Sequence, residues 1–219
     1  MTAVTYGRRN SNPQERAREQ MVKQERAIRT RESLILAAAE VFAEEGYVPA
    51  SLTTISRRAG VSNGALHFHF ENKQALALAV EAEATRALGA ITAEASQAEE
   101  GVLQELVGAT HALMARLAQD VVVRAGFELG TGSARGAGTC RLGWQRWVEE
   151  ALSRAAREGS LADGVSPQDA AGAIVAATVG FEVLGAQDPG WYTGRAVTGF
   201  WELLLPRLKR DYSVCSPPL

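Results

Sequence analysis

Residues that carry reactive chemistry are scarce in this chain. Cysteine occurs twice, at Cys140 and Cys215. Two cysteines build no disulfide framework, so a reducing, cytoplasmic setting is the default. Histidine occurs three times. His67 and His69 stand two apart on a helical stretch and point away from each other, which argues against a shared metal. His111 stands alone and reads as structural. No nucleophile–histidine–acid set, metal-ligand spacing or glycine-rich phosphate loop is visible. No catalytic residue, metal or cofactor is therefore expected. No apolar run approaches the ~20 residues of a membrane span, and the polar N-terminus has no signal-peptide core. Strand-favouring residues are sparse and rarely alternate with polar ones, which predicts an all-α protein.

Charge is divided unevenly. Residues 1–73 hold 11 Lys and Arg against 8 Asp and Glu, and the remainder holds 12 against 17. A mildly basic front on an acidic body suits one nucleic-acid face and a separate task behind it. Residues 1–27 lack apolar periodicity and read as a disordered or frayed basic arm, in which Arg8, Arg9, Arg16, Arg18, Lys23 and Arg26 can run along phosphates and the part before Lys23 reads equally as a solvated tail. Arg29 and Arg31, nearer the fold, are better placed for such contact.

Thr30 to Glu45 is a predicted helix, with Leu34, Ile35, Ala38, Val41 and Phe42 in one apolar stripe and Gly46 as its stop. The next stretch, Ala50 to Phe70, reads as two short helices around a tight turn. Ser51 caps the first and Ser62 the second. Gly60 supplies the left-handed stop between them. Leu66 and Phe70 lie one turn apart on the buried face. This is the grammar of a helix-turn-helix, whose second helix enters the DNA major groove.

The run GVSNGALHFHFENKQAL in that region resembles the recognition-helix signature of TetR-family repressors, with Gly60, Val61, Gly64, Ala65, Leu66, His69, Phe70, Lys73 and Leu76 in place. Asn63 replaces the usual lysine and His67 the usual tyrosine. The resemblance implies an N-terminal three-helix DNA-binding domain and a C-terminal helical domain for ligand binding and dimerisation. It implies DNA contacts from Ser51, Thr53, Asn63, Gly64, Ala65, His67, Phe68 and Lys73. Gly64 and Ala65 let the backbone approach the bases. Asn63 can pair with adenine edges, where lysine favours guanine. Ser51, Thr53, His67 and Lys73 can donate to phosphates.

Behind this region, Asn72–Gln97 reads as a long linking helix. Val102–Ala118, Val121–Leu129, Thr139–Glu158, Pro167–Gly185 and Trp191–Arg210 follow as helices, with a glycine-rich loop at Gly130–Gly138. The segments VVVRAGFELG, Trp144 before WVEEALSRAAREGSL, and IVAATVGFEVLG resemble the γ-butyrolactone receptors of actinobacteria. That resemblance implies a double-stranded operator, a small apolar effector and a homodimer. It makes Trp144 the first candidate for the pocket wall, joined by Thr85, Leu88, Phe127, Thr178 and Phe181. Glu182 suits a bound hydroxyl or the surface equally, and Trp147 the pocket or the outside. Small residues along 167–185, with Phe200, Trp201, Leu204 and Leu205, suggest a four-helix dimer interface. The expected division is an arm at 1–27, a DNA-binding domain at 28–73 and a ligand-binding and dimerisation domain at 74–219. The expected function is a dimeric repressor released by a γ-butyrolactone, butenolide or furan, controlling secondary metabolism. The alternatives are a relative sensing an unrelated apolar compound such as an antibiotic, and a small helical enzyme.

Overall fold

The structure is a computed structural model, described for residues 13–97, 100–129 and 139–210. Its elements are helices throughout: α1 (Pro13–Glu45), α2 (Leu52–Arg58), α3 (Asn63–His69), α4 (Lys73–Ala95), α5 (Val102–Gln119), α6 (Val121–Leu129), α7 (Thr139–Arg157), α8 (Pro167–Gly185), a 3-10 turn at Pro189–Tyr192, and α9 (Gly194–Leu208). Strand geometry among the described residues is limited to one isolated bridge between Leu161 and Lys209. The expected all-α fold is what forms.

Local chemistry sets the boundaries. The hydroxyls of Ser51 and Ser62 accept the backbone N–H groups of Thr54 and Ala65, each at 3.1 Å. Asn72 Oδ1 accepts that of Ala75 at 2.8 Å. Each satisfies one of the free donors at a helix start. Gly46 and Gly60 adopt φ of 82° and 68°, the left-handed region that stops α1 and α2 at little cost. The start of α1 differs from expectation. It lies at Pro13, so residues 13–29 are helical rather than frayed. Arg8, Arg9, Cys215 and the whole loop at 130–138 lie outside the described residues. The last expected helix divides in two at Thr193, which follows the 3-10 turn and precedes α9.

The buried residues form two cores. One joins α1 to α4 and includes Leu34, Val41, Ile55, Leu66, Leu76 and Val80. The other fills the body around Leu106, Leu113, Met114, Trp144, Leu152 and Ile174. Helix α6 belongs to both. Ala125 and Leu129, one turn apart, enter the first core, while Val123 and Phe127 enter the second. Between them Gly126 lies so close to α4 that a Cβ there would sit 2.3 Å from Cβ of Ala84. A nine-residue helix is thus wedged between the front and the body with no slack on its α4 side.

On the far side, α8 and α9 leave Leu203 80% exposed, with Val183 and Leu184 also exposed. Gly172, Ala173 and Ala176 lie open beside them. Trp201 does not share this face. It is 3% exposed within the body core, and its indole N–H is buried without a hydrogen-bond partner. Ala170 and Ala171 are buried as well. His111 proves structural: its Nδ1 lies 2.9 Å from the carbonyl of Val107 and its Nε2 lies 3.0 Å from the hydroxyl of Thr198, tying α5 to α9.

Candidate operator-reading head and effector cavity

Helix α3 stands on the front with its outer side open. Leu66 is its anchor into the core. Asn63, Gly64, His67 and Phe68 are exposed and Ala65 is half-buried. Phe68 is 81% exposed, its ring edge-on to that of His69 at 5.2 Å. Ser51 and Thr53 open onto solvent at the start of α2. Asn63 Oδ1 accepts the hydroxyl of Ser56 at 2.5 Å. That bond uses the acceptor end of the amide, orients the side chain and ties α3 to α2. Arg31 is exposed, but its guanidinium lies 5.4 Å from the ring centre of Phe70, a cation–π stack that holds it to the head. Arg58 is engaged with Glu44 at 2.6 Å, which holds the Glu44 carboxyl below its usual range.

Lys73 has another task than a phosphate contact. Its ammonium donates to the carbonyls of Tyr47, Val48 and Ala50 at 2.8, 2.9 and 2.9 Å and stands over the Tyr47 ring at 4.7 Å. Three N–H groups meet three carbonyls, so this lysine fastens the turn between α1 and α2 to the start of α4.

The body holds a small, partly open cavity between α5, α6, α7 and α8. Trp144 donates its indole N–H to the Thr178 hydroxyl at 2.9 Å, and the Thr178 O–H donates in turn to the carbonyl of Val175 at 3.0 Å. Phe127 forms the α6 wall, with Leu113, Met114 and Leu117 from α5. Arg141 and Glu182 complete the lining with a two-pronged ion pair, Nε to Oε2 at 2.8 Å and an Nη to Oε1 at 2.7 Å. The free volume is about 10 Å³, room for one water at most. A ring-sized guest requires the walls to part. Nearby, burial and then the charge of Glu182 push the carboxyl of Glu128 up, against the opposing pull of Arg124 and Arg141. Burial likewise raises the Tyr192 phenol to about 12, and that hydroxyl donates to the carbonyl of Glu182 at 3.1 Å.

Residues 34–80 match the model for bacterial regulatory proteins of the tetR family. The A-factor receptor protein of Streptomyces griseus is 33% identical over 192 residues, covering 86% of this chain and 67% of that protein. The chain belongs to the TetR family. Members bind operator DNA as dimers and respond to small ligands, and this chain is a ligand-responsive transcriptional repressor of that kind. Two solved structures agree in fold. A γ-butyrolactone receptor described as ArpA-like has a TM-score of 0.73 at 27% identity, covering 84% of this chain and 90% of its own. CprB from Streptomyces coelicolor, in complex with its operator, has a TM-score of 0.72 at 27% identity, covering 86% and 92%.

With the TetR arrangement in view, the expected pocket residues divide. Phe127, Trp144 and Thr178 converge on the cavity. Thr85 does not: it is exposed on α4, its hydroxyl donating to the carbonyl of Glu81 at 2.8 Å and lying 3.3 Å from the Cys140 sulfur. Leu88 is body core outside the lining, packed where α7 passes at Gly143. Phe181 turns to the α9 side, edge-on to Phe200 at 5.8 Å, because Thr178 and Glu182 occupy the cavity side of that turn. Trp147 stacks behind Trp144 at 5.3 Å rather than entering the lining. Glu182 is a wall residue, 4% exposed. Sequence reasoning missed Leu113, Met114 and Leu117, the apolar wall from α5, Val179 on α8, and the charged Arg141. Arg141 stands three residues before Trp144 in the first turn of α7, and that i, i+3 spacing is the signal that places both on one side.

Proposed function

We propose that this chain is a γ-butyrolactone-receptor-type repressor of secondary metabolism, acting in the cytoplasm and without enzymatic activity. Residues 1–27 serve as a basic arm, 28–73 as the DNA-binding domain and 74–219 as the ligand-binding and dimerisation domain. Gly64, Ala65 and Phe68 approach the bases, with the free amide end of Asn63 donating to an acceptor on a base edge. Ser51, Thr53 and His67 meet phosphates. Two such heads, about 34–36 Å apart across a two-fold axis, fit an imperfect palindrome.

The effector enters beside Trp144, whose flat ring covers a lactone or furan ring while Thr178 offers a hydroxyl. One observation carries the reading: Phe127 walls the cavity from the same helix whose Ala125 and Leu129 sit in the head's core. Parting the cavity walls displaces α6, and α6 cannot move without disturbing the head. The ligand class is supported by likeness to the A-factor receptor in sequence and to the ArpA-like γ-butyrolactone receptor in fold.

The test is operator binding to DNA from upstream of the protein's own gene, with and without a synthetic alkyl γ-butyrolactone. Release by the lactone is expected, and a Trp144→Ala variant should keep operator binding while needing at least about tenfold more lactone. Turnover of the lactone, or release by an antibiotic and not by lactones, contradicts the reading.

A further inference from the structure

The ion pair between Arg141 and Glu182 has an uneven setting. Glu182 is 4% exposed and Arg141 22%, so the carboxylate forms the floor of the cavity and the guanidinium its outer edge. A buried ion pair is a poor source of stability, because two charges must be stripped of water to make it. Here it lines a cavity of about 10 Å³, among apolar side chains and the Trp144–Thr178 hydrogen bond. It is therefore a closure that a guest can open only by offering equivalent partners to both charges. A hydroxyl donates to the Glu182 carboxylate, and a carbonyl oxygen accepts from the Arg141 guanidinium.

We infer that the Arg141–Glu182 pair is the specificity-determining element of the effector site, closing the cavity by mutual contact and reading a neutral guest that carries a hydroxyl donor and a carbonyl acceptor on an apolar frame. This deepens the proposed function and rests on it. The charge balance favours a neutral guest. The Glu182 carboxylate, 4% exposed, already lines the cavity. A carboxylate guest would set a second negative charge against it in a poorly hydrated space.

The test uses the purified full chain and calorimetric titration with three synthetic probes: a hydroxymethyl-substituted alkyl γ-butyrolactone, its methyl analogue and its carboxylate analogue. The wild-type protein should bind the hydroxymethyl compound about tenfold or more tightly than either analogue, because a site that loses a partner leaves a buried polar group unsatisfied. The double variant Arg141→Met, Glu182→Met removes both charges together, an exchange that buried pairs tolerate. Circular dichroism and operator binding confirm that it folds. It should bind the hydroxymethyl and methyl compounds within about threefold of each other. Undiminished discrimination in the double variant overturns the assignment of the pair while leaving the lactone reading in place. Tighter binding of the carboxylate analogue by the wild type overturns the neutral-guest assignment. Binding of none of the three, with operator binding intact, overturns the lactone reading and this inference together.

Discussion

Trp144 does two things in the body. It fills the core with a fully buried indole, and it donates to Thr178 across the cavity. Trp144→Phe keeps most of the apolar bulk and loses the bond, so unfolding in urea should show a loss of about 1–3 kcal/mol. Lys73 gives a sharper test. Lys73→Met removes three charge-assisted bonds to the α1–α2 turn and should lower stability by about 1–3 kcal/mol. Because no phosphate contact is lost, the slope of log affinity against log salt for operator binding should stay unchanged, whereas a phosphate-binding lysine would reduce it by about 1. Glu128 carries a raised folded-state pKa. A raised acid favours folding below its unfolded pKa, and that contribution fades as pH rises through the folded value. Stability should therefore decline from the ordinary carboxylate range toward neutrality, and Glu128→Gln should flatten that part of the profile in thermal melts.

Elements show how far the sequence can be read and where it stops. The caps of α2 and α3 and the stop of α2 were legible because Ser51, Ser62 and Gly60 act on backbone within four residues of themselves. The early start of α1 was not. Residues 14–26 are exposed all round, so no buried stripe marks the helix, and Glu, Arg, Gln and Ala form it by local preference alone. The sequence located Trp144 and Thr178 but not what each neighbour faces. Register places Thr178, Phe181 and Glu182 on one turn, and tertiary packing decides that Thr178 and Glu182 face the cavity while Phe181 turns to Phe200 and Trp191. For Lys73 the position in the motif was right and the direction of the side chain was not, since spacing carries no information about which acceptors lie within reach. Helix α6 is the element most open to test. Gly126→Ala would drive a methyl into Ala84, so α4 and α6 must separate. A loss of about 1–3 kcal/mol in unfolding stability is expected, with weaker operator binding because the head's core shares that helix.

At the scale of the whole molecule the operator site and the cavity are properties of one paired chain. Members of the TetR family bind operators as dimers, and Leu203, Val183 and Leu184 on α8 and α9 leave apolar surface exposed on the single chain. Helix α6 contributes to both cores, and in the proposed mechanism each head's position depends on the volume of the cavity behind it. An effector shifts this equilibrium only to the extent that it binds one arrangement more tightly than the other. The most direct measurement is the distance between the two heads of the dimer. Spin labels at the exposed Glu71, beside α3, in a chain with Cys215 replaced by serine and Cys140 buried, report it by pulsed electron resonance. Saturating hydroxymethyl γ-butyrolactone should move the mean separation by several ångströms as the operator is released. Release of the operator with an unchanged distance distribution would contradict the account.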